Sequence, residues 1–83
     1  MRITVKLYAT LSDYLPPERK HNAIALDVPP GTTIGELLAR FKLPPKLVHL
    51  VLLNGVYIAP EKRLPHPLSE ADVLAIWPPI AGG

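Results

Sequence analysis

Val28-Pro29-Pro30-Gly31-Thr32-Thr33-Ile34-Gly35-Glu36-Leu37-Leu38-Ala39-Arg40-Phe41, residues 28–41, contains a strand end, a turn, a helix start and one helix stripe. Neither proline can donate to a sheet ladder, and Gly31 accepts the backbone angles of a tight turn. Thr32 or Thr33 can then cap a helix. Glu36 stands three residues after Thr33, where its carboxylate can reach back to complete a capping box. Ile34, Leu37, Leu38 and Phe41 recur at i, i+3, i+4 and i+7, which is one apolar stripe, and Pro44 and Pro45 are placed to end the helix. A helix with a single apolar stripe needs a sheet to bury it, so the flanking strands decide the architecture.

Upstream, Ile3, Val5 and Leu7 alternate with Arg2, Thr4, Lys6 and Tyr8, the period-two pattern of a half-buried strand. Ala23 to Val28 is a second strand with Ile24, Leu26 and Val28 on one side. Ser12 to Asn22, with Pro16, Pro17 and a polar run through His21, is predicted to be a surface loop. Downstream, Lys46 to Leu53 is the most apolar stretch and is interrupted only by His49. Asn54-Gly55 is a strong hairpin signal leading into Val56 to Ile58. Glu61 to Pro67 is expected to be an irregular crossing, with Lys62 and Arg63 either solvated or facing an acidic partner or phosphate. Val73 to Trp77 is a short buried strand. The order strand, strand, helix, strand, strand, strand predicts the α+β class, with a mixed sheet of about five strands, one main helix, and Ile3, Val5, Leu7, Ile34, Leu37, Leu38 and Phe41 in one core. A helix covers one sheet face only, so the strand ending at Leu53, apolar on both sides, leaves an exposed patch of the kind that marks a partner surface.

Composition excludes several classes. Eighty-three residues make one domain. Without cysteine there is no disulfide framework and no thiolate metal site, which fits a reducing, cytoplasmic setting. Apolar runs are far shorter than the roughly 20 residues of a membrane helix, and Lys6 interrupts any signal-peptide core, so a soluble protein is expected. Nine Lys and Arg against seven Asp and Glu are scattered along the chain, which argues against nucleic acid as a partner. Eleven prolines within a chain that is 48% hydrophobic indicate rigid turns rather than disorder.

Catalytic spacing is missing from the interior. There is no glycine-rich phosphate loop, His21, His49 and His66 stand apart, and no metal site is expected. Ser12-Asp13 and Ser69 to Asp72 read as turn residues. The end of the chain is different: Pro78 and Pro79 break the last strand, and Ile80, Ala81, Gly82 and Gly83 follow. Glycine-rich ends are commonly frayed, and the dipeptide alone reads better that way. Placed directly behind a strand and a Pro-Pro break, it also reads as a bare-backbone tail that a narrow channel on another protein can admit. The domain is therefore set at 1–77, with a tail at 78–83.

These residues together resemble the ubiquitin-like β-grasp sulfur carriers of the MoaD/ThiS family. The resemblance rests on Pro30-Gly31-Thr32 before Thr33-Ile34-Gly35-Glu36-Leu37-Leu38, on Val51 to Gly55 ending in Leu-Asn-Gly, and on Trp77-Pro78-Pro79-Ile80-Ala81-Gly82-Gly83. It spans the whole chain and is nearest to the small subunit of molybdopterin synthase. It implies that an E1-like enzyme uses ATP to adenylate the Gly83 carboxylate, and that a sulfur donor converts it to a thiocarboxylate. The thiocarboxylate then delivers sulfur to an acceptor held by a larger synthase subunit. The carrier would bind no cofactor and have no active site of its own. Pro78, Pro79, Ile80, Ala81 and Gly82 would enter the partner's channel. Tyr8, His49, Val51, Leu53, Ala75 and Trp77 would form the docking face, the other alternation placing Leu50 and Leu52 there. Two positions depart from the family pattern. Ala71 precedes Asp72 where glycine is usual, which disfavours a positive-φ turn, and Trp77 stands where phenylalanine is more common. Thiamine, tRNA-thiolation or tungsten-cofactor pathways, a conjugated modifier, and a binding module that acts through its apolar sheet face are the alternatives.

Overall fold

The computed structural model describes residues 1–79. Strand β1 (Arg2–Leu7) runs antiparallel to β2 (Ala23–Asp27), with Val5 opposite Ile24. Helix α1 (Ile34–Arg40) follows, then β3 (Leu50–Leu53), β4 (Val56–Tyr57), the short helix α2 (Pro60–Arg63) and β5 (Val73–Trp77). β5 pairs parallel with β1 and antiparallel with β3, giving the order β2-β1-β5-β3-β4. This five-stranded mixed sheet with a helix on one face is the β-grasp fold.

Alternation sets the core. Ile3, Val5 and Leu7 from β1, Val51 and Leu53 from β3, and Leu74 and Ile76 from β5 share the inner face. Ile34 and Leu37 of α1 are at most 1% exposed against it, while Leu38 is only partly buried at the edge of the stripe. The helix begins as its sequence requires: Glu36 N donates to Thr33 Oγ1 at 3.2 Å and Thr33 N donates to a Glu36 carboxylate oxygen at 3.0 Å. Its end is a finding. The helix closes before the two prolines, because Lys42 turns to φ 57° and Leu43 N donates to Leu38 O at 3.0 Å. That is a Schellman closure with lysine where glycine is usual.

Several expected loops are more structured. Ala9–Tyr14 forms a 3₁₀ turn that buries Leu11, and Leu15 behind it plugs the same end of the core. Another 3₁₀ turn at Pro45–Leu47 delays the third strand to Leu50. The predicted crossing at Glu61 to Pro67 is partly α2, and Arg63 is 6% exposed rather than solvated. Its guanidinium donates to Ile58 O at 2.9 Å and His49 O at 3.0 Å, so it ties the crossing to the start of β3. α1 lies close to this segment at Gly35, where an added Cβ would stand 2.7 Å from Leu64 O.

The turn before β5 forms despite its alanine. Ala71 adopts φ 69° and donates its N–H to Arg2 O at 2.7 Å. The adjoining Asp72 carboxylate accepts from Ser69 N at 2.7 Å and from the Asn54 amide at 2.8 Å, while Asn54 Oδ1 accepts from Val73 N at 2.8 Å. Asn54 itself sits at φ 52° beside Gly55 at φ 83°, so the β3–β4 hairpin turn and the entry to β5 are locked to each other.

Two substitutions test this account. Leu37→Ala should cost about 2–5 kcal/mol in chemical denaturation, since it empties a position in the middle of the core. Ala71→Gly should stabilise by about 1 kcal/mol, because glycine removes the left-handed strain at some entropic cost; thermal unfolding should show a midpoint about 4–8 °C higher.

Candidate functional site: the outer sheet face and the root of the C-terminal tail

The face opposite α1 carries the other half of each alternation. Lys6 is opposite Ala75, Ala75 is opposite Leu52, and Leu50 is opposite Trp77, so these side chains form rows across β1, β5 and β3. At the tail end the rings of Tyr8 and Trp77 stack with centroids 4.0 Å apart and planes within 7°. Leu50, Leu52, Tyr8 and Trp77 are each partly exposed. Aromatic and aliphatic groups held flat on a sheet offer contact area at low entropic cost to a partner.

The sequence expectation for this face needs correcting at three positions. Val51 is fully buried and Leu53 is 8% exposed, both packed in the core below the sheet. His49 is exposed but lines a depression with Leu38 of α1, on the helix side. The reason is register: pairing Val51 with Ile76 and Leu53 with Leu74 places both on the core face, and Leu50 and Leu52 take the outer one. Ala75, Tyr8 and Trp77 lie on the outer face, although Ala75 is small and only 9% exposed between its neighbours.

The tail is rooted in the middle of the sheet. Tyr8 N donates to Ile76 O at 3.0 Å from one side and His49 N donates to Trp77 O at 3.0 Å from the other, so the last two residues of β5 are each held by a residue flanking a neighbouring strand. Pro78 lacks an N–H and ends the ladder there; it is half-buried, and Pro79 is exposed. Ile80, Ala81, Gly82 and Gly83 lie outside the described residues.

Nothing else among the described residues groups chemistry. No set of three His, Asp or Glu side chains could hold a metal ion, and His66 Nδ1 lies 2.8 Å from Pro67 O. No helix among them is long and apolar enough to cross a membrane. The exposed Arg2–Asp27 pair at 2.9 Å is worth little to stability. Sequence reading missed the stacking of Tyr8 on Trp77, although both residues end runs whose alternation puts them on one side.

If the outer face is a contact surface, Leu52→Asp should leave the fold intact, since Leu52 is not part of the core, yet weaken pull-down of a cognate partner by at least about tenfold. The same change at Val51 should unfold the domain instead, as read by circular dichroism.

Comparison with known proteins extends the description to the whole chain. No curated protein matches the sequence. Among solved structures, SAMP1 from Haloferax volcanii superposes with a TM-score of 0.68 at 24% identity, covering 100% of both chains. The complex of subunits 1 and 2 of the molybdopterin-converting factor from Helicobacter pylori contains a chain with a TM-score of 0.61 at 23% identity, again covering 100% of both. Urm1 from Trypanosoma brucei gives 0.67 at 19% identity, over 99% of this chain and 95% of that one. At such identities these likenesses establish the shared fold. The sequence profile of the ThiS family matches residues 5–83, which takes in the second half of β1, the other four strands and the terminal Gly-Gly, and the chain therefore belongs to the ThiS family.

Proposed function

We propose that this protein is a sulfur carrier whose reactive group is the carboxyl of Gly83. The observation that carries the reading is the family match running through Gly83 on a chain whose central strand delivers the tail. A free α-carboxylate is ionised at neutral pH and is a poor electrophile. An adenylating partner would transfer AMP from ATP onto it and release pyrophosphate. A persulfide on a sulfur donor would then displace AMP, and cleavage of the resulting S–S bond by a thiol would leave the terminal thiocarboxylate. The carrier's own contribution is mechanical: a rigid body, a proline-defined exit, and a bare backbone at Gly82 and Gly83. Six extended residues span at most about 20 Å, enough to reach a recessed site while the outer sheet face rests on the partner's surface.

The acceptor we favour is a pterin precursor of the molybdenum cofactor, held by a larger synthase subunit. The support is the Pro78-Pro79-Ile80-Ala81-Gly82-Gly83 ending together with the likeness to a molybdopterin-converting factor that is seen in complex with its second subunit. A conjugated modifier is the second reading, favoured by the likeness to small archaeal modifier protein 1 from H. volcanii, at a TM-score of 0.67 against 0.61 for the molybdopterin-converting factor chain. Both readings begin with adenylation of Gly83 and part at the next nucleophile, a sulfur or a lysine amine.

Intact-mass measurement separates them. Incubated with its adenylating enzyme, ATP and a sulfur donor, the full chain should exchange one oxygen for sulfur, localised to the C-terminal peptide. Deleting Gly83, or extending the chain past it, should abolish the exchange without changing the circular dichroism spectrum. Gly82→Ala should slow it, the methyl group obstructing a channel shaped for bare backbone. Sulfur gained by the Gly83 deletion would refute the carrier reading, and adducts joined through lysine would favour the modifier.

A further inference from the structure

A second recognition surface lies on the helix side of the domain, built from elements that the outer face does not use. Two adjoining depressions of about 420 and 290 Å³ share Leu38, Pro45 and Leu64 as walls. Leu38 belongs to α1 and Tyr57 to β4, so the groove runs from the helix to the β4 edge of the sheet. Leu64 is 65% exposed and Tyr57, at the sheet edge, 54% exposed, a large apolar display for so small a domain. The charge around it is one-sided. The lining residues and their chain neighbours carry five of the nine cations, Arg40, Lys42, Lys46, Lys62 and Arg63, and two of the seven acidic groups, Glu36 and Glu61, a local net charge of +3 in a chain whose total is +2. Lys42 lines the smaller depression and Arg63 the larger, and the exposed Lys46 and Lys62 each adjoin a lining residue in the chain.

Arg63 sharpens the picture. It is 6% exposed, its guanidinium donates to the carbonyls of Ile58, Val48 and His49 and lies over the Tyr57 ring at 5.9 Å from its centre, and no carboxylate lies within ion-pair distance of it among the described residues. Three of its five N–H groups are used, so a cation with donors to spare stands at an apolar groove. Desolvated charge of one sign beside aliphatic walls is complementary to carboxylates flanking aliphatic anchors. We propose that this groove binds an acidic amphipathic segment of a protein partner, with leucine or phenylalanine side chains seated against Leu38 and Leu64 and glutamates or aspartates facing Lys42, Lys46, Lys62 and Arg63. Nucleic acid fits less well, because Leu, Val and Pro side chains make up most of the walls and Tyr57 and His49 are the two rings there, where a strand of bases calls for a succession of stacking surfaces beside phosphate contacts. The groove meets the outer sheet face only at the β4 edge, where Tyr57 is opposite Leu52, and none of its walls belongs to the Tyr8–Trp77 stack, so a partner here can be held while the tail is engaged elsewhere; the inference does not depend on what Gly83 carries.

The test uses the isotopically labelled full chain and a synthetic peptide of glutamates with leucine and phenylalanine anchors at helical spacing. The amide resonances of Leu38, Lys42, Lys46 and Leu64 should shift on titration, and those of Thr4, Lys6 and Ala75 should not. Replacing the peptide's glutamates by lysines should abolish the shifts. Lys46→Glu combined with Lys62→Glu should weaken binding by about 3–10-fold, and Leu64→Ser by about tenfold, with the rest of the amide spectrum unchanged. Silence in the groove, equal binding of the lysine peptide, shifts confined to the outer face, or occupation of the groove by an oligouridylate in preference to the glutamate peptide would each overturn the proposal.

Discussion

The fold depends on β5 being paired along both edges. The chain's last strand enters between β1, to which it is parallel, and β3, to which it is antiparallel, and so joins two hairpins that are otherwise separate sheets. Two-stranded hairpins are marginal in water, whereas three or more strands over a helix bury enough apolar surface to persist. Inserting β5 completes the floor beneath α1, because Leu74 and Ile76 fill the gap between the inner rows of β1 and β3. The price of the arrangement is that folding waits for the C-terminus, since the contacts that join the halves are also among the most distant in sequence.

That constraint also shapes function. A tail that leaves from an edge strand moves with the fraying of that edge, whereas this one leaves from the middle of the sheet with its last carbonyls held by Tyr8 and His49. The same pairing brings Tyr8 and Trp77 together, so the stacked pair and the exit of the tail are one construction. On the proposed function the terminal carboxylate needs presentation rather than catalysis from its own chain, and a central strand followed by two prolines holds the root of the tail for that.

The turn network at Asn54, Asp72 and Ala71 and the buried Arg63 solve a related problem. Two non-local connections, the hairpin turn into β4 and the crossing into β5, have to lie flat against the body. Asn54 and Asp72 join the first to the second by side-chain hydrogen bonds, and Arg63 joins the crossing to the segment before β3. Because Arg63 does so with carbonyls alone, its charge stays available at the surface groove, so a residue with a structural task also biases what that groove can bind.

The helix was legible down to its cap because Thr33, Glu36 and the apolar stripe are local: every interaction involved spans four residues or fewer. The same holds for β1, the Asn54-Gly55 turn and the order of elements, and the terminal Gly82-Gly83 behind Pro78-Pro79 was enough to suggest carrier chemistry. The face occupied by β3 was not legible. Its residues are apolar at every position, so periodicity carries no phase, and only pairing Val51 with Ile76 and Leu53 with Leu74 decides that Leu50 and Leu52 face outward. The burial of Arg63 and the left-handed Ala71 were equally hidden, since each is stabilised by partners distant in the chain: Val48 and His49 for Arg63, Arg2 for Ala71. Local sequence thus determined which elements form, while tertiary structure alone decided which residues of β3 lie on the core side of the sheet and which on the outer side, because that choice is made by long-range register and not by residue type.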